Sequence, residues 1–344
     1  MRALWLLLAA GSGLSAQVEP AVALYEQARH RRDPHAIREA SDACRGALAG
    51  SPGDPALRKA EVSLLLLSHR FEDALEKATA YNKSIPDDVE GYGLIADASF
   101  ALGRYEEAEK AIQWMLDLRR THPAGLFHAG VLRLLTGDLE GAAEMLESAL
   151  VRIQPTDSID RAEALTWLAL VHLWLARYEL AEQTALRALE ARPGFVPGVV
   201  RLAEVKVERR KFREAADLLA GLPPQPRHLN LLAQALESAG DLAQAASRWS
   251  QFEKAALEQV NDPDNANREL VLYYTGPKRK PAEALRIAKI EFARRQDLYT
   301  LDAYARALHA NGEVAEARRQ IDRLYAVGIK DPAILEHSKT IQGR

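Results

Sequence analysis

A second cysteine is missing from the 344 residues, so neither an internal disulfide nor the multi-thiol cage of a structural zinc site can form. An excess of positive charge is missing too. The 45 Lys and Arg face 48 Asp and Glu, a formal balance of −3, which leaves no global basic field to hold nucleic acid and excludes it as the default partner. There is no Walker-type phosphate loop, no His-Glu-x-x-His and no Cys-x-x-Cys, and the nine histidines are scattered. No cofactor and no metal ligand set are therefore expected. No acid/base pair or nucleophile constellation can be placed in one pocket either, so no catalytic residue is assigned and an enzyme is not expected. What the chain does have is apolar mass: 48% of its residues, ample for a packed interior and too rich for disorder.

Long hydrophobic runs are also scarce. Residues 1–17 read MRALWLLLAAGSGLSAQ, with one basic residue, an apolar run from Ala3 to Ala10 and a small-residue stretch ending Leu14-Ser15-Ala16. That is the layout of a secretory signal. The run is far shorter than the roughly 20 residues that cross a bilayer, so residues 1–16 are expected to be a cleaved leader, with no membrane span in the mature chain. Loss of Arg2 with the leader would leave a balance of −4. An exported protein, periplasmic or secreted, follows. The alternative is a first amphipathic helix of the fold, against which stands the lack of any helical stripe before Glu19.

Beyond residue 20 apolar residues recur at helical intervals, broken by short Gly, Pro and Asp punctuation. One unit keeps returning: Gly or polar, polar, aromatic or aliphatic, two variable residues, Ala. It is seen as His69-Arg70-Phe71-Glu72-Asp73-Ala74, Gly103-Arg104-Tyr105-Glu106-Glu107-Ala108, Gly137-Asp138-Leu139-Glu140-Gly141-Ala142 and Ala176-Arg177-Tyr178-Glu179-Leu180-Ala181. It is seen again at 210–215, 240–245 and 312–317, and weaker copies end at Ala40 and Ala284. The closing alanines are spaced 34, 34, 34, 39, 34, 30, 39 and 33 residues apart. A period near 34 with two helices per unit resembles the tetratricopeptide repeat family. The resemblance implies an all-α fold, a right-handed superhelical solenoid of about nine helix-turn-helix repeats over residues 17–344, each repeat contacting mainly its neighbours.

Further positions fit the family pattern. Small residues stand twelve before the alanine, where paired helices cross: Ala96, Gly130, Ala169, Ala203, Ala233 and Ala305. Proline is expected to end second helices, at Pro52, Pro86 and Pro193, with Pro123, Pro155 and Pro226 displaced by one to three residues. The 39-residue steps predict longer loops around 154–160 and 260–265, the 30-residue step predicts a bend at 221–228, and Asp331-Pro332 predicts a capping helix over 331–342.

The resemblance also implies a concave groove lined by first helices. Its fixed offsets put Phe100, Phe127, Val131, Leu134, Leu170, Trp174, Val200 and Glu204 there, with an apolar middle able to receive a peptide or amphipathic helix of a partner protein. The alternative is that the same side chains fill the contact between adjacent first helices. The clamp by which one subtype grips a carboxyl terminus is absent, since its places offer Lys59 with Ser63 and Gly93 with Asp97. A non-catalytic scaffold in the bacterial envelope is the function implied; the alternative is a carbohydrate-associated module of polysaccharide export or envelope assembly.

Lesser candidates have bland readings. Cys44 occupies a core slot and is expected as apolar filler, as is His172. The run Asp262 to Asn267 resembles the opening of a calcium loop, but Ala266 and Asn267 stand at its fifth and sixth positions, which favours a capping turn. The basic clusters at Arg29 to Arg32, at Lys206 to Arg213 and at Lys278 to Lys280 are expected as solvated turn edges, with a local anionic contact as the alternative.

Overall fold

Residues 4–276 and 280–343 are described by the structure, a computed structural model, with the backbone alone for residues 4–17. The expected leader over residues 1–16 thus lies outside the residues whose side chains are described.

Among the described residues the chain forms nine helical hairpins. They are α1 (Leu4–Arg31) with α2 (Pro34–Gly50), α3 (Pro55–Leu67) with α4 (Phe71–Ser84), and α5 (Val89–Leu102) with α6 (Tyr105–Leu118). Next come α7 (Pro123–Leu135) with α8 (Leu139–Arg152), α9 (Ser158–Trp174) with α10 (Tyr178–Ala191), and α11 (Val196–Glu208) with α12 (Phe212–Ala220). The last are α13 (Pro226–Ser238) with α14 (Leu242–Glu258), α15 (Asn267–Thr275) with α16 (Pro281–Arg294), and α17 (Leu298–Ala310) with α18 (Val314–Val327); α19 (Pro332–Gln342) follows.

Local chemistry starts these helices. Asp33, Asp54, Asp88, Asp138, Asp241, Asp297 and Asp331 each accept an amide of the following first turn, satisfying a donor the helix cannot. Proline at the opening position has no amide to satisfy. That is why Pro123 and Pro226, expected as stops, open α7 and α13 instead. The turn inside each hairpin explains the recurring unit. Its first residue is left-handed, at His69, Gly103, Gly137, Ala176, Arg210, Gly240 and Gly312 (φ from +56° to +88°). The unit's closing alanines, Ala40 through Ala317, are at most 2% exposed, and Gly130 lies so close to α8 that a Cβ there would stand 2.7 Å from Leu146 Cγ. Successive first helices pack on one another from α1 to α11 and again from α15 to α19, forming the inner layer; second helices form the outer one.

The expectation that repeats contact mainly their neighbours is incomplete. The coil tightens until its turns touch, edge against edge. Gln225 donates to the Arg32 carbonyl and the Leu298 amide donates to the Tyr105 hydroxyl, both pairs being 193 residues apart. At nearly the same spacing, His69 Nδ1 lies 3.6 Å from Asp264, and the Gln296 amide donates to the Leu102 carbonyl. A Cβ on Gly103 would stand 2.3 Å from the Gln296 oxygen, and one on Gly137 would stand 2.1 Å from the Gly328 oxygen. The seam therefore joins the turns within the first four hairpins to the connections between later ones. Charge reinforces it: Arg29 reaches Asp160 (2.6 Å) and Glu163 (3.2 Å), and Arg32 reaches Glu163 (2.9 Å). Burial alone would raise the Glu163 pKa, but Arg32 and Arg29 together hold it below the usual carboxylate value.

Candidate functional site

The inner layer carries the expected groove residues on α5, α7, α9 and α11, and the structure divides them. Leu134 is fully enclosed, Val131 is 4% exposed and Leu170 6%; these three pack within the helical layers. Phe100, Phe127 and Trp174 are half-buried, as are Val200 and Glu204. The reason is the tight coil. Val131 and Leu135 share one apolar cluster with Leu229, Leu298, Leu301 and Ile334 of the carboxyl half, and Phe100, Phe127 and Trp174 pack against that cluster. Much of the inward apolar surface thus meets the chain's own later repeats.

Polar groups fill in around it. His128 Nε2 lies 3.1 Å from an Asp97 oxygen and Nδ1 lies 2.7 Å from the Ala124 carbonyl. Burial works against charging this imidazole, yet Asp97 prevails and raises its pKa. Glu204 pairs with Arg201 of its own helix. The Arg268 guanidinium stands 4.8 Å over the Tyr299 ring, and Tyr299 is raised by burial first and then by Asp331. His337 Nδ1 lies 3.2 Å from Asp302, whose side chain has no exposed surface. Of this charged set the sequence marked only Glu204 for the groove; Asp97, His128, Arg268, Asp302 and His337 come from α5, α7, α15, α17 and α19 and meet only in the fold.

Where the coil ends, a pocket of about 510 Å3 is lined by Trp174 at the close of α9, by Lys330, Pro332 and Leu335 at the start of α19, and by Asp138 and Glu140 at the α7–α8 turn. The capping helix thus supplies Pro332 and Leu335 to a site of which the sequence pointed only to Trp174.

The lesser candidates find ordinary places. Cys44 is buried, its Sγ donates to the Leu57 carbonyl at 3.4 Å, and burial, then Glu61, pushes its thiol up to about 11. His172 is 3% exposed, and burial, then Arg177, lowers its pKa. Asn265 accepts the Asn267 amide, and both Asn side chains donate to Glu291, so the run resembling a calcium loop forms a hydrogen-bonded turn. Among the described residues no group of three or more His, Cys, Asp or Glu is placed to hold a metal. The first basic cluster serves the seam. In the second, Lys206, Arg209 and Lys211 converge on Glu182. Of the third, Lys278 and Arg279 lie outside the described residues, and Lys280 pairs with Glu253 at 2.6 Å.

Residues 60–113 and 94–158 match the family model of the tetratricopeptide repeat. No curated protein matches the chain. Among solved structures, the Cut9–Hcn1 hetero-tetramer of the APC/C is similar at a TM-score of 0.55 and 13% identity, over 81% of this chain and 53% of that one. A human IFIT1 dimer with PPP-AAAA is similar at 0.52 and 12%, over 85% of each chain. A thermophilic protein of the same repeat type from Thermus thermophilus reaches 0.48 and 21%, over 56% of this chain and 99% of its own. The chain spans about half the length of the Cut9–Hcn1 chain it matches. At these identities the likeness is one of fold. No described helix is long and apolar enough to cross a membrane.

Proposed function

We propose, from the premise that this chain is a tetratricopeptide-repeat protein, that it is a non-catalytic scaffold holding a peptide or helix of a partner protein on its concave face. The observation that carries this is the set of inward aromatic side chains left half-buried, Phe100, Phe127 and Trp174, the last of them lining an open pocket beside Pro332 and Leu335. An accessible aromatic anchor next to aliphatic walls, with Lys330 on one side and Glu140 on the other, suits an apolar side chain flanked by polar backbone. Val200 and Glu204 extend the same face. The leader-like residues 1–16 support export, with the envelope as the place of action.

Two experiments test this reading. With a photo-crosslinking amino acid at position 174 in the native cell, a discrete partner protein is expected to be captured, and Trp174→Ala is expected to abolish its co-purification while moving the melting temperature little. A large melting loss with capture unchanged assigns Trp174 to packing alone. For export, amino-terminal sequencing of the protein from fractionated cells is expected to read from Gln17; an intact Met1 in the cytosolic fraction overturns it.

A further inference from the structure

A second cavity lies on the outer layer, away from the concave face. Its volume is about 560 Å3, and it opens between α8 and α10 with Leu168 and His172 of α9 at its base. One wall is formed by Ile153, Gln154 and Pro155 of the α8–α9 connection, which stays short. The extra residues of the first 39-residue interval lengthen α9 to 17 residues instead of forming the longer loop expected there. Size alone places the cavity among small-molecule sites, which run from about 300 to 1,000 Å3.

Three features of its lining point to one class of ligand. Val151 is 82% exposed and Leu180 41%, two aliphatic side chains at the rim with nothing covering them. Arg152, Arg161 and Arg187 all line the cavity, and none forms an ion pair among the described residues. Arg152 and Arg161 each spend one N–H on a backbone carbonyl, of Ser148 and Leu150. The single carboxylate in the lining is Glu147, so positive charge is in excess. Arg29, Arg177 and Arg209, by contrast, each meet a carboxylate. Finally, His172, buried at the base, has an Nδ1 without a hydrogen-bond partner, a state that a folded interior rarely tolerates.

We propose that this cavity binds a small organic monoanion with an apolar body, its carboxylate held by the guanidinium groups of Arg152 and Arg187 and its body against Leu168, Val151 and Leu180. Planar guanidinium groups suit a carboxylate in shape as well as charge, and the aliphatic rim recovers water-exposed apolar area on binding. The site stands apart from the partner-binding face, so either can fail without the other.

Calorimetry on the full chain, with octanoate, octan-1-ol and octylammonium as probes, decides the matter. Octanoate is expected to bind at one site and the other two at least about tenfold more weakly. The double variant Arg152→Gln with Arg187→Gln changes only exposed side chains, so it keeps the fold, and it is expected to weaken octanoate about tenfold. Leu180→Ser is expected to weaken it several-fold, and the His172 ring resonances are expected to shift on octanoate addition. The proposal is overturned by absent or unsaturable octanoate binding, by equal binding of octan-1-ol, by an unchanged arginine variant, or by an unmoved His172. Capture of an acidic protein segment that octanoate fails to displace overturns it as well, and makes the cavity a protein-docking slot instead.

Discussion

Gly103 and Gly137 occupy the same place in their hairpins as Gly240 and Gly312, with φ between +77° and +88°, yet the two pairs live in different surroundings. A Cβ on either of the first two would drive into the backbone of a repeat far along the chain, whereas nothing lies within 4 Å of the other two. The tolerance of the position is visible at His69, Ala176 and Arg210, which adopt the same left-handed turn with side chains. One letter of the repeat thus answers to turn geometry everywhere and to close approach only in the first half. The seam is where the repeats stop being equivalent.

Substitution at those glycines exposes the difference most strongly. Gly103→Ala is expected to destabilise by about 3 kcal/mol, combining left-handed strain with a backbone collision, and to speed hydrogen exchange at the Gln296 and Leu298 amides. Gly240→Ala is expected to cost about 1 kcal/mol and to leave those amides protected. Equal losses from the two would show that the edge contact contributes nothing.

Charge gives a smaller contrast. Glu163→Gln removes a carboxylate shared by Arg29 and Arg32, leaving Arg29 with Asp160, and is expected to cost about 2 kcal/mol in denaturant titration. Glu140→Gln leaves the exposed Arg177, 2.5 Å away, without its partner and is expected to cost about 0.5 kcal/mol.

The pH dependence separates two histidines. Burial first, then Arg227, Arg295 and Arg32, lowers the His69 pKa well below its ordinary value, although Asp264 faces its Nδ1. Folding therefore opposes its protonation. Its contribution is full above about pH 6.5, the unfolded value, and declines as pH falls below it. His128 runs the other way: its raised pKa gives stability present below about pH 6.5 and lost as pH rises through the folded value. The smallest expected effect is that His69→Gln reduces the loss of stability between about pH 6.5 and 5, whereas His128→Gln reduces the loss of stability as pH rises above about 6.5. Identical melting profiles for His69→Gln and the parent would refute the seam assignment.

The hairpins were readable from the sequence because their determinants are local: an alanine where helices cross, an Asp or Pro at a start, a left-handed residue in the turn. The coil's tightness was not, since it arises from a small rotation per repeat that no single residue encodes. The same gap limits the concave site. First-helix offsets placed Phe100, Phe127 and Trp174 on the inward face, yet they could not reveal that Leu134 would be sealed or that Leu335 of α19 would complete the pocket at Trp174. The outer cavity had no sequence signal, because Arg152, Arg161 and Arg187 stand on α8, α9 and α10 and meet only in the fold.

The 193-residue offset across the seam also limits how this array can grow. Deleting or duplicating one repeat between the two contacting edges would shift every later connection by about 34 residues relative to its mate. Because successive turns meet successive connections, Gly103 would then meet the connection of a neighbouring repeat in place of the Gln296 carbonyl, and Tyr105 would lose the Leu298 amide. An open array can lengthen by simple duplication, but here every added or lost repeat exchanges the partner of each turn along the seam.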